Sequence, residues 1–165
     1  MGDPLQFFVY SVAIGTGATA VMDLWALLRL RLFGVPSLDW AMVGRWLGHI
    51  PHGRFVHAGI GAAADVPGER AIGWIAHYAI GILFAALLLS ICGPDWVRQP
   101  TPLPALVFGL VTVAAPFFIM QPALGAGVAA ARTPNPQRAR INSLLTHGVF
   151  GLGLYLSALL LQKLI

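Results

Sequence analysis

One cysteine, six carboxylates and ten basic residues are all the thiol and permanent charge in this chain of 165 residues. The lone Cys92 excludes an internal disulfide and a cysteine metal cage. Charged residues make up 10% of the sequence, against roughly 25% in a soluble domain. Nucleic acid is not an expected partner: the formal net charge is +4, but no Lys/Arg cluster or basic stripe carries it. Also missing are a GxSxG nucleophile elbow, a GxxxxGK[ST] phosphate loop and an HExxH zinc motif. The familiar hydrolase, nucleotide and metalloprotease readings therefore have nothing to rest on. The glycine-rich "GTGAT" lies inside an apolar helix and is read as a packing element.

What the chain has in surplus is apolar sequence: 58% of its residues are hydrophobic and the mean hydropathy is +0.78. The surplus comes in runs of about 20 residues, enough to cross roughly 30 Å of hydrocarbon at 1.5 Å per residue. The expectation is a single all-α integral membrane domain over residues 1–165, with four transmembrane helices in a lipid bilayer. The first runs from Leu5 to Leu28 and is closed by Arg29 and Arg31; the second runs from Ala71 to Cys92. The third begins near Pro102 and is bent or ended by Pro116 and by Gln121-Pro122, because proline removes a helical hydrogen bond and clashes with the preceding turn. The fourth covers Ile141 to Leu161, after a start signal in "TPNPQRAR" where Asn135 suits the N-cap and Pro136 the first helical position. "MGDPLQFF" has no Lys or Arg ahead of its apolar stretch, so the first run is read as a mature helix and not a signal peptide.

Basic residues set the expected orientation. Arg29, Arg31, Arg45, Arg54 and Arg70 border or lie in the first connection, and Arg132, Arg138 and Arg140 belong to the third. The opposite side has Arg98 and Lys163. The positive-inside rule then puts the first and third connections in the cytoplasm and both termini outside, in the periplasm. Within the first connection, "PSLDWAMVGRWLGHI" places Leu38, Met42, Val43, Trp46, Leu47 and Ile50 at helical spacing. It reads either as a short interfacial helix on the inner membrane surface or as a helix packed on the protein itself.

Four polar residues stand out inside the spans: Asp23, His77, His147 and Gln121. Asp23 lies six residues from Arg29, His77 seven from Arg70 and His147 seven from Arg140. Each should therefore sit about 9–11 Å inside its basic border. Ionisable groups in a membrane face the bundle interior and pair with one another, so these residues form the candidate polar layer. Asp23 has no cation at i+3 or i+4, which leaves His77 and His147 as its candidate partners from other helices. Thr16 and Thr19 share its face, and Gly73, Gly81 and Gly151 neighbour the histidines where helices would approach closely. The layer is read either as a functional group or as a buried pair that only fixes helix register.

The same side holds "GHIPHGRFVHAGIGAAADVPGER", with His49, His52, His57, Asp65 and Glu69. Histidine and carboxylate side chains could ligate zinc or iron, with His49, His57, Glu69 and His77 as the candidate metal set. Solvated loop histidines are the plain alternative. No cofactor is named by the sequence.

Four strings, "ATAVMDLWALL", "DWAMVGRWLGHIPHGRF", "GERAIGWIAHYAIG" and "ARTPNPQRARINSLLTHGVFGLGLYL", together resemble a bacterial family of small inner-membrane proteins, domain of unknown function 2938. The resemblance covers nearly the whole chain. It implies a bacterial inner-membrane protein and assigns no catalytic residue. Three functions stay open: a polar site that binds or passes a small polar solute or proton, with a homodimer expected for transport; an intramembrane metal-dependent enzyme; and a structural or accessory membrane protein.

Overall fold

The computed structural model describes residues 3–165, of which 77% is helical, with no strand among them. Four helices are long and apolar enough to span a membrane: α1 (Pro4–Phe33), α3 (Glu69–Cys92), α4 (Pro102–Ala123) and α5 (Pro136–Gln162). A shorter helix, α2 (Trp40–His49), lies in the first connection. At 30, 24, 22 and 27 residues, the long helices reach about 33–45 Å at 1.5 Å per residue. Many of their outward side chains are large and apolar, among them Leu83, Ile91, Leu103, Val111 and Leu160. Such a surface is stable against hydrocarbon and not against water.

Local chemistry explains the helix ends. Asp3 caps α1 by accepting from the Leu5 N–H at 3.0 Å, with Pro4 at the first helical position. The helix runs past the span expected over Leu5 to Leu28 and continues to Phe33. No breaker intervenes until Gly34, which takes the left-handed conformation (φ 62°) and ties its N–H to Leu30. The predicted start of α5 holds: Asn135 accepts from the Arg138 N–H at 3.0 Å and Pro136 opens the helix. Asp39 caps α2 in the same manner, accepting from Ala41 at 2.9 Å.

The prolines of α4 bend it in a specific way. Regular α-helix ends at Val111, and Pro116–Met120 forms a π turn in which the Gln121 N–H reaches back to the Pro116 carbonyl. A proline N–H is missing there, so the ladder is broken and one residue is taken up in a wider turn. The helix ends after Pro122, where Ala126 bonds to the Gln121 carbonyl at 2.8 Å and Gly125 adopts φ 95°.

Contacts divide the chain into two compact units. The first contains Met1–Ser37, Tyr78–Thr112 and Leu145–Ile165. Its core is built from Tyr10, Ile14, Ala18, Leu88, Leu89 and Leu154, with Phe84 edge-on to Phe108 at 6.4 Å and to Phe150 at 6.1 Å. Here α4 and α5 nearly touch: a Cβ on Gly109 would lie 2.6 Å from the Gly151 nitrogen and 2.8 Å from the His147 carbonyl. Membrane helices associate through such small-residue contacts because lipid supplies no hydrophobic drive between them.

The second unit contains Leu38–His77 and Val113–Leu144. In it α2 docks on the start of α3 through two glycines. A Cβ on Gly44 would sit 2.7 Å from both the Glu69 carbonyl carbon and the Gly73 nitrogen, and one on Gly73 would sit 2.6 Å from the Trp40 carbonyl carbon. Val43 and His49 of α2 are buried as well. The helix of the first connection is thus packed on the protein, which leaves it free to lie at the membrane surface as well.

Candidate functional site

In the first unit, Asp23 projects from α1 and accepts a hydrogen bond from the Tyr78 hydroxyl of α3 at 2.9 Å. Tyr78 was not singled out from sequence, although it adjoins His77 in "IAHYAIG" and a phenol is a good intramembrane donor. Thr19, one turn before Asp23, is fully buried and donates to the Gly15 carbonyl at 2.8 Å. Thr16, expected on the same inward face, is exposed.

His147 of α5 meets Thr112 of α4, with Nδ1 2.8 Å from the hydroxyl oxygen. That hydroxyl also lies 2.5 Å from the Gly109 carbonyl. A threonine has one hydroxyl hydrogen, and a carbonyl can only accept, so the hydrogen goes to Gly109 and His147 must donate from Nδ1. Neutral His147 is therefore the Nδ1–H tautomer, which leaves a lone pair on Nε2.

Contacts between α1 and α5 fix the relative depth of these groups. A Cβ on Gly153 would touch Ala18 and Val21, and Arg29 donates to the Thr146 hydroxyl at 3.3 Å. Asp23 consequently lies about one helical turn, or ~5 Å, farther from the Arg29 end than His147 does. The common depth inferred from sequence assumed that Arg29 and Arg140 mark one border. The Arg29 side chain instead reaches Thr146, six residues along α5 from Arg140.

In the second unit, His77 is buried between two indoles. Its ring stacks on Trp40 at 3.8 Å between centroids and 23° between planes, and Trp74 stands edge-on at 5.7 Å. Gln121 donates from Nε2 to the Ser143 hydroxyl at 3.3 Å, while its buried Oε1 has no hydrogen-bond partner.

The first-connection residues fall into two groups. Arg45 grips Glu69 through both fork nitrogens, at 2.8 and 2.7 Å, meets Asp65 at 2.6 Å and donates to the Ala63 carbonyl at 3.1 Å. Glu69 also accepts from the Val66 N–H at 3.0 Å. The Glu69 hydrogen bond, above all, pushes the Arg45 guanidinium above its ordinary pKa, so this clasp does not open by loss of the arginine proton. The other group is a histidine pair: His49 Nδ1 and His57 Nε2 are 2.9 Å apart. His52 is exposed and its Nδ1 lies 3.3 Å from the Gly48 carbonyl. Among the described residues, no three His, Cys, Asp or Glu side chains gather as a metal group. His49 and His57 of the expected metal set come together, whereas Glu69 is engaged by Arg45 and His77 by the tryptophans.

A family model described as Protein of unknown function (DUF2938) matches residues 12–161. The chain belongs to this family. The match takes in every residue of the groups above, from Asp23 to His147. No curated protein and no solved structure matches the DUF2938 chain.

Proposed function

We propose that this DUF2938 protein is a multi-pass protein of a bacterial inner membrane that binds or passes a small polar solute or a proton, with Asp23 as the accepting or exchanging group. The observation that carries this reading is the Tyr78 hydrogen bond to Asp23 between two apolar helices. An ionisable group inside a membrane span is costly, up to about 2.5–3.5 kcal/mol at the helix centre on insertion scales and less toward its ends, and such groups are functional by default. A phenol suits the role because its hydroxyl both donates and accepts, so a proton can reach or leave the carboxylate without a free ion crossing hydrocarbon. His147, held through Nδ1 by Thr112, presents its Nε2 lone pair as a second proton acceptor in the same unit.

The arginine bias orients the first and third connections toward the cytoplasm and the termini toward the periplasm. Four spans make a thin wall around a path, so a homodimer is the assembly we expect. The test is proton and solute flux in vesicles reconstituted with the purified protein and loaded with a pH-sensitive dye. Asp23→Asn should fold and insert like the wild type yet lose flux at least tenfold. Equal flux from the two proteins would refute the role of Asp23.

A further inference from the structure

We propose that His49 and His57 form a binding site for a borderline divalent cation, of the zinc, cobalt or nickel type, in the first connection. Two imidazole nitrogens face each other, His49 Nδ1 and His57 Nε2, at 2.9 Å. The rings are 27° from parallel with centroids 5.0 Å apart. At that spacing the nitrogens meet edge to edge, and the space between them must hold a proton or a cation.

The surroundings favour a cation. The Ala123 carbonyl accepts from the His57 backbone N–H at 2.9 Å and lies 3.4 Å from His57 Nδ1. A carbonyl can only accept, so it selects the tautomer with hydrogen on Nδ1 and leaves the Nε2 lone pair aimed at His49. Metal-bound histidines are oriented in this way, through the nitrogen that does not touch the metal. His49 is 7% exposed and sits on the last turn of α2, a helix locked by the close approach of Gly44 to α3. The segment that carries His57 is fixed independently, because Ile60 donates to the Leu124 carbonyl at 3.0 Å and Trp46 to the Phe55 carbonyl at 2.9 Å. Both rings are thus presented on anchored backbone.

The distance is also close to what a metal needs. Bonds of about 2.0–2.1 Å at a tetrahedral angle separate two ligand nitrogens by about 3.3–3.4 Å, so an opening of about 0.4–0.5 Å converts the contact to a chelate. Entry of the cation displaces the one proton between the rings, which moves to His49 Nε2, so that both ligands stay neutral imidazoles. The two remaining positions are left for water or an oxygen ligand, since no third His, Cys, Asp or Glu joins the pair among the described residues. Imidazole pairs of this kind select borderline metals over calcium or magnesium, which prefer oxygen.

The test uses the full-length protein, purified in detergent through a tag without histidine, and Co²⁺ as the probe. One equivalent of Co²⁺ should bind, and X-ray absorption on the wild-type complex should count two imidazole nitrogens. His57→Ala and His49→Ala should each weaken binding at least tenfold, while His52→Ala, on the exposed ring, should bind like the wild type. Excess Mg²⁺ should not compete. Wild-type protein that binds no Co²⁺, or binds it without imidazole ligation, overturns the proposal and leaves the pair as a shared proton. Equal binding after loss of His57 overturns it too. The absorption measurement needs no variant, so a folding failure of either alanine protein does not remove the test.

Discussion

Gly44→Ala sets two physical effects against each other, and the structure decides which wins. On helix propensity alone, alanine in α2 should stabilise by about 1 kcal/mol. Against this, the new Cβ would lie 2.7 Å from the Glu69 carbonyl carbon and the Gly73 nitrogen, where heavy atoms pack at about 3.5–4.0 Å. These obstacles and the still nearer Glu69 carbonyl oxygen are all backbone, so no side chain can rotate aside and α2 must retreat by more than about 1 Å. What it forfeits is the burial of Val43 and the stacking of Trp40 on His77. Complete loss of the first is worth about 1.5–3 kcal/mol and of the second about 0.5–1.5 kcal/mol. Net of the propensity gain, destabilisation of about 1–3 kcal/mol is expected, or a fall in melting temperature of about 2–10 °C for a chain of this size. Thermal unfolding in detergent measures it, and tryptophan fluorescence should change together with it because Trp40 leaves the histidine ring. Gly59→Ala is the control: its Cβ would meet nothing within 4 Å and its φ of −169° suits any residue. A Gly44→Ala protein as stable as the wild type, with unchanged fluorescence, would refute the close-approach argument.

Three further outcomes are expected. Thr112→Val removes the acceptor for the His147 Nδ1–H and should destabilise by about 1–3 kcal/mol in the same unfolding assay, whereas Thr112→Ser should recover most of that loss. Gln121→Met replaces an amide whose Oε1 is buried without a partner; removing an unsatisfied acceptor worth about 1–3 kcal/mol should leave stability equal or higher, and a marked loss would mean that this oxygen has a partner in the membrane. Arg45→Lys keeps the charge but not the two-pronged grip on Glu69. Limited proteolysis between residues 59 and 68 should become faster in that variant. In the wild type the same cleavage should be unchanged into alkaline solution, because a group with a raised pKa keeps its contribution in full at every pH below its ordinary value, and Arg45 is such a group.

The fold was legible wherever one continuous stretch of sequence carried the signal. Four apolar runs announced four spans, and Asn135-Pro136 marked the start of α5 as observed. The arginines after Leu28 mark a span border in the sequence but no helix end, since an arginine can remain helical while its long side chain reaches toward water. Pairings between distant segments were beyond reach: Arg45 finds Glu69 across 24 residues, and Tyr78 finds Asp23 across 55. Residue types narrowed the candidates for the polar groups, but their relative depth depends on how helices are staggered. The glycine contacts of α1 with α5 set that stagger, and no count from the nearest arginine could supply it.

The π turn at Pro116–Met120 also changes what a helical wheel can say about α4. One residue absorbed into a wider turn advances the angular phase of everything after it by about 100°, the rotation of a single α-helical residue. Residues 102–111 therefore belong to one wheel and residues 121–123 to another, and a stripe drawn through the whole segment would put Gln121 on the wrong meridian. Proline works here as a splice in the pattern: it lets a greasy outward stripe in the first half hand over to an amide reaching Ser143 in the second, within a helix no longer than a membrane requires.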